Sequence, residues 1–185
     1  YEDFYSDYTN ENETLEFDQR GKGYVLGIPF NKSTEVLSYN KTFFDYITSA
    51  EGRSLLQTKE VGEIKLPETW AEVKTTGLNI ISLFTKLDLF GKILGTDGKV
   101  YTDASQIKGT VKTVIDATSV TEANFRPFSY DSTENLVTTL IRQYGGTLTE
   151  VDKTQTGKGY VNFNNQKTID ALTMLEDLWD SKVIG

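Results

Sequence analysis

Between Ile28-Pro29-Phe30 and Val36-Leu37 the chain sets Asn31, Lys32, Ser33, Thr34 and Glu35 side by side: an amide, an amine, two hydroxyls and a carboxylate in consecutive positions. Groups of this kind can read a polar ligand by hydrogen bonds that both donate and accept. They do not make an imidazole-activated nucleophile, a thiolate centre or a usual zinc site, because the chain contains no His and no Cys. An enzyme here would have to run on carboxylates, hydroxyls or lysine. A second grouping places Tyr130, Asp131, Ser132 and Asn135 where a strand-like run, Phe125-Arg126-Pro127-Phe128-Ser129, meets a helix. By residue type alone, Glu35 and Asp131 suit the acid and base of a glycoside hydrolase, whereas Asp131 and Ser132 suit ordinary helix caps.

The elements that must position these groups follow from periodicity and punctuation. Residues 1–12 carry apolar side chains at roughly helical spacing, and Gly21 and Gly23 break that pattern. Residues 24–30 form a β-rich run that ends near Pro29, which has no N–H to give a ladder. After the polar cluster, Val36 and Leu37 resume a strand, and Asn40 caps a helix over 41–49 whose Phe43, Phe44 and Ile47 share one face. Residues 50–65, with Gly52 and Gly62, read as a loop or insertion. Thr69-Trp70-Ala71-Glu72 behind Pro67 is a capping box that starts a helix to about Leu89, with Trp70 anchoring its start and Gly91 as the stop.

Residues 95–119 begin with a turn, Gly95-Thr96-Asp97-Gly98-Lys99. Ile107, Val111, Val114 and Ile115 then fit either a helical face or strand pieces, and the spacing favours helix. Residues 125–130 read as a strand, 133–144 as a helix ended by Gly145-Gly146, and 147–160 as a hairpin-like region. Asn164 or Asn165 caps a last helix with Ile169, Leu172, Leu175, Leu178 and Trp179 on one apolar face. Strands alternating with helices give an α/β class.

With 185 residues, 37% of them hydrophobic and 25% charged, the chain can bury one sizeable core or one core and part of another. A net charge of -8 argues against nucleic acid or an anionic membrane surface as partner. The first residues, Tyr1-Glu2-Asp3-Phe4-Tyr5, are neither a signal peptide nor a membrane span, and both ends read as cut edges of a longer protein. No motif calls for a cofactor or a metal.

Taken in order, Gly23-Tyr24, residues 29–41, Pro67-Glu68-Thr69-Trp70-Ala71-Glu72, the helix ending Tyr144-Gly145-Gly146 and the closing helix over 166–183 resemble the extracellular solute-binding proteins of ABC importers. The group in question binds carbohydrates and includes maltose-binding and glycerol-3-phosphate-binding proteins. The resemblance implies a periplasmic-binding-protein-like α/β lobe with a mixed sheet covered by helices, in an incomplete two-lobe architecture. Residues 1–28 would be the tail of the first lobe and 29–185 a truncated second lobe. It further implies a monomer that works outside the cytoplasm, periplasmic or lipid-anchored, and that carries a sugar or sugar-like solute to a membrane permease without catalysis. On the same ground Asn31, Ser33, Thr34, Glu35, Tyr130, Asp131, Ser132 and Asn135 would contact the solute, with Tyr130 as an aromatic platform. Besides the hydrolase, a non-transport adhesion exodomain is the competing class.

Overall fold

The computed structural model describes residues 36–152, 154 and 158–185. The expected helix at 1–12, the strand at 24–30, the polar cluster at 31–35 and the lobe boundary at 28/29 lie outside the described residues. The described chain is a mixture of helices and small sheets, an α/β protein in the general sense. It divides into two compact units, one made of residues 38–137 and 170–185, the other including 36–37 and 138–169.

In the larger unit the first helix, α1 (Lys41–Ile47), starts where expected: the Asn40 side chain accepts the Phe43 amide at 3.0 Å. Immediately afterwards Ser49 caps a second helix, α2 (Ala50–Thr58), by accepting the Gly52 amide at 3.1 Å. Residues 50–58 are therefore helical, against the expectation of a loop. Gly52 misled because glycine usually breaks helices; here a Cβ would lie 2.2 Å from the Tyr46 carbonyl oxygen, so glycine lets α2 press against the backbone of α1.

The Thr69 half of the expected capping box is present. Thr69 accepts the Glu72 amide at 3.2 Å, and the Glu72 carboxylate reaches back to the Glu68 amide at 2.8 Å and to Lys65 Nζ at 2.6 Å. Helix α3 (Trp70–Leu87) follows, with Trp70 half-buried at its start. It stops two residues earlier than expected because Asp88 takes a left-handed cap (φ 52), a conformation that Asn and Asp tolerate better than most residues. Its Ile80, Leu83 and Phe84 enter the core together with Phe43 and Ile47 of α1 and Leu56 of α2. Phe125 stacks on Phe84 with ring centroids 4.1 Å apart.

Residues 93–116 contain three short strands and a single 3-10 turn over Ala104–Gln106 started by Asp103, not the favoured helix. β1 (Ile93–Gly95) is the centre of an antiparallel sheet of order β2-β1-β3, with β2 at Val100–Tyr101 and β3 at Thr113–Asp116. The helical spacing of Ile107, Val111, Val114 and Ile115 came from two separate segments, divided by Gly109 at φ 67. Along β3 Val114 is buried, Ile115 is half-buried and Thr113 and Asp116 are exposed. The expected turn at 95–99 joins β1 and β2; its Asp97 accepts Tyr101 Oη at 2.8 Å and the Lys99 amide at 3.2 Å. Burial works against ionisation of Asp97, but these donors prevail and hold its carboxyl below the usual range.

The expected strand at 125–130 is reduced to one bridge, Phe128 with Ile184, and this is the only parallel pairing among the described strands and bridges. Pro127 contributes no N–H to such a ladder. Helix α4 (Thr133–Gln143) ends as expected: Gly145 takes φ 77 and the Gly146 amide donates to the Ile141 carbonyl at 2.8 Å. The smaller unit contains the antiparallel hairpin of β4 (Thr149–Val151) and β5 (Gly159–Val161). Asn165 then caps α5 (Gln166–Asp180), accepting the Thr168 amide at 3.0 Å. On α5 the buried positions include Thr168, Ala171 and Leu178, and Trp179 is 63% exposed, against its expected place in the core. Leu178 lies two turns from Ala171 on the same face, which turns the neighbouring Trp179 away by about 100°.

Two outcomes test this reading. Leu83→Ala should cost about 3 kcal/mol in denaturant-induced unfolding, because Leu83 is fully buried and its removal leaves a cavity in the core. Glu72 has its carboxyl held below the ordinary 4.5, first by the hydrogen bond from Lys65 and then by backbone amides. Its contribution is complete above about pH 4.5 and is lost as pH falls through the lowered folded value. The stability gap between the wild type and Glu72→Gln should therefore stay constant from neutral pH to about pH 5 and close at more acidic pH.

Candidate ligand-binding site

Phe128 holds the parallel bridge through two backbone hydrogen bonds: its N–H donates to the Val183 carbonyl at 3.0 Å, and its carbonyl accepts the Gly185 N–H at 3.2 Å. The two bridged segments run parallel, and the chain after Phe128 leads into the start of α4. In α/β folds this edge, beyond the carboxyl ends of parallel strands and at a helix start, is where ligands are held.

At this edge stand Tyr130, Asp131, Ser132 and Asn135. Ser132 occupies the cap position by backbone, since its carbonyl accepts the Leu136 amide at 3.0 Å. Its side chain is a different matter. Asn40, Ser49, Thr69, Asp103 and Asn165 each place a side-chain oxygen on a backbone amide of the turn they start. Among the described residues, the hydroxyl of Ser132 and the carboxylate of Asp131 make no such bond. Asp131 and Asn135 are exposed and Ser132 is half-buried. The plain-cap reading of Asp131 and Ser132 therefore finds no side-chain hydrogen bond to support it.

Tyr130 is half-buried, and its hydroxyl is shielded from solvent, so the part it can offer a ligand is the ring. The charge at this edge is negative. Glu134 lies in the first turn of α4 beside Asp131, while Arg126 turns its Nη1 onto the carbonyls of Ala123 (3.2 Å) and Phe125 (2.7 Å). Asn31, Ser33, Thr34 and Glu35 lie outside the described residues, as does Lys32 beside them. The structure therefore brings together the second group of candidates, Tyr130 to Asn135, at one helix start.

Sequence reasoning missed another polar constellation, on the β4–β5 hairpin. Glu150 accepts Thr147 Oγ1 at 2.7 Å, Tyr160 Oη at 2.6 Å and Asn162 Nδ2 at 2.7 Å. The hydrogen bond to Glu150 pushes the Tyr160 phenol up, with burial adding to it. The signal was present in the strand alternation: pairing Thr149 with Val161 sets Glu150 opposite Tyr160 and leaves Asn162 on the same face. Here the carboxylate is engaged by the hairpin itself, which makes this a structural lock. Among the described residues, no cluster of His, Cys, Asp or Glu could hold a metal ion. No helix among them is long and apolar enough to cross a membrane.

No family model matches the chain, and neither the curated proteins nor the solved structures give a match.

The contrast between helix starts gives a direct expectation. Ser132→Ala and Asp131→Asn should leave the unfolding free energy within about 0.5 kcal/mol of wild type, whereas Thr69→Ala should cost about 1 kcal/mol. A loss at Ser132 as large as that at Thr69 would mean that its hydroxyl serves the fold.

Proposed function

We propose that this chain belongs to the substrate-binding component of an ABC importer, which captures an extracellular sugar or sugar-like solute between two lobes and delivers it to the membrane permease. The described α/β unit carrying Tyr130 to Asn135 is then part of a periplasmic-binding-protein-like lobe, and the protein works outside the cytoplasm as a monomer. The observation that carries this reading is the pairing of Phe128 with Ile184, whose chain leads into a helix start where, among the described residues, the side chains of Asp131 and Ser132 make no hydrogen bond to the backbone. A polyol presents vicinal hydroxyls that donate and accept together. Asp131 accepts, Asn135 does both, Ser132 does both, and the Tyr130 ring can cover an apolar sugar face.

Binding without turnover fits the residues better than catalysis. The chain has no His or Cys to activate a nucleophile, and Asp131 is exposed to water. The sequence resemblance to carbohydrate receptors supports the same conclusion. Asn31, Ser33, Thr34 and Glu35 complete the proposed contact set.

A thermal-shift panel of neutral mono- and oligosaccharides tests the reading. At about a hundred times its dissociation constant, a solute that binds only the folded chain adds about 2.7 kcal/mol. At least one member should raise the melting temperature, and Asp131→Asn and Asn135→Ala should abolish that rise while leaving the ligand-free melting temperature unchanged. A panel with no shift, or glycoside hydrolysis that disappears in Asp131→Asn, would end the proposal.

A further inference from the structure

We infer that Gly77, in the middle of α3, is a positioning residue for the edge on which Tyr130 to Asn135 stand; its bearing on solute binding rests on the function proposed above. By helix propensity alone a glycine here is a defect. The reason for it is a close approach: a Cβ at Gly77 would lie 2.5 Å from Val183 Cγ1 and 3.0 Å from Cγ2. Val183 is fully buried and β-branched, so it has little freedom to turn its methyl groups aside.

Its backbone is held on both sides as well. The Val183 N–H donates to the Leu178 carbonyl at 3.0 Å, after a left-handed Lys182 at φ 58, and the Val183 carbonyl accepts the Phe128 N–H at 3.0 Å. Displacing Val183 therefore displaces Phe128, two residues before Tyr130 and four before Ser132. Gly185 closes the other side: a Cβ there would meet Arg126 Cγ at 2.6 Å. The bridge is thus seated between two close approaches at glycines, and Gly77 sets how deeply the segment after α5 sits against α3.

Residue-resolved amide exchange on the ligand-free chain tests this. Gly77→Ala should speed exchange at Phe128 and Gly185 by about tenfold or more and shift the amide resonances of Asp131 and Ser132. The double variant Gly77→Ala/Val183→Ala, in which the crowding methyl groups are gone, should return these amides toward wild type. Unchanged exchange at Phe128, a melting temperature raised as propensity alone predicts, or no rescue in the double variant would overturn the inference. If Gly77→Ala does not fold, Val183→Ala alone must still shift the amides of residues 128–132, and their constancy would overturn it equally. Since no ligand enters the readout, its outcome is separate from whether any solute binds.

Discussion

Two backbone hydrogen bonds at Phe128 tie the end of the chain described here to the segment that precedes α4, and the candidate site depends on them. The Val183 and Gly185 partners fix the backbone of Phe128, two residues before Tyr130. With them, a strand-like segment delivers a helix start to a defined edge. The bridge depends in turn on α3, which receives Val183 at Gly77, packs Leu83 and Phe84 into the core and stacks Phe84 on Phe125 at the root of the same segment. The fold therefore positions the edge from below, through apolar packing, and from the side, through a peptide ladder.

What distinguishes that edge from the other helix starts is where its polar side chains point their capacity. Five other starts use an Asn, Ser, Thr or Asp oxygen to satisfy a backbone amide that would otherwise face water alone. At α4 the residue types are the same, but among the described residues the side chains of Asp131 and Ser132 make no hydrogen bond to the backbone. A protein that leaves good capping groups idle gives up about a kcal/mol of helix stability. That sacrifice is understandable where the same oxygens and amide serve a ligand. The Glu150 lock is the opposite case, with three donors from its own hairpin converging on one carboxylate.

Much of the helical framework was legible in the sequence, because capping signals act locally. Asn40 and Thr69 each name a helix start that the structure has at that residue, the last start was narrowed to Asn164 or Asn165 and falls at Asn165, and Gly145-Gly146 names an end. The failures have a common physical origin in tertiary packing. Gly52 was read as part of a loop, whereas it marks a close approach by a neighbouring backbone that no local rule reveals. The spacing of Ile107 to Ile115 imitated a helix because two short segments happened to be in phase, and the positive φ of Gly109 that separates them follows from the turn they make. Trp179 read as core because bulk and periodicity both favour burial, but Leu178 already fills that face. Of the site, the junction at Tyr130 to Asn135 was legible as a helix start; that its side chains leave the backbone uncapped was not, since Asp and Ser before a helix ordinarily cap it.

The most direct measurement is to map, residue by residue, which amides move when a stabilising neutral saccharide is titrated into the chain. The account predicts that the amides of residues 130–135 shift and saturate together with the rise in stability. Saturation with those amides unmoved, and the changes centred instead on the Glu150 hairpin or on the β1–β3 sheet, would contradict it.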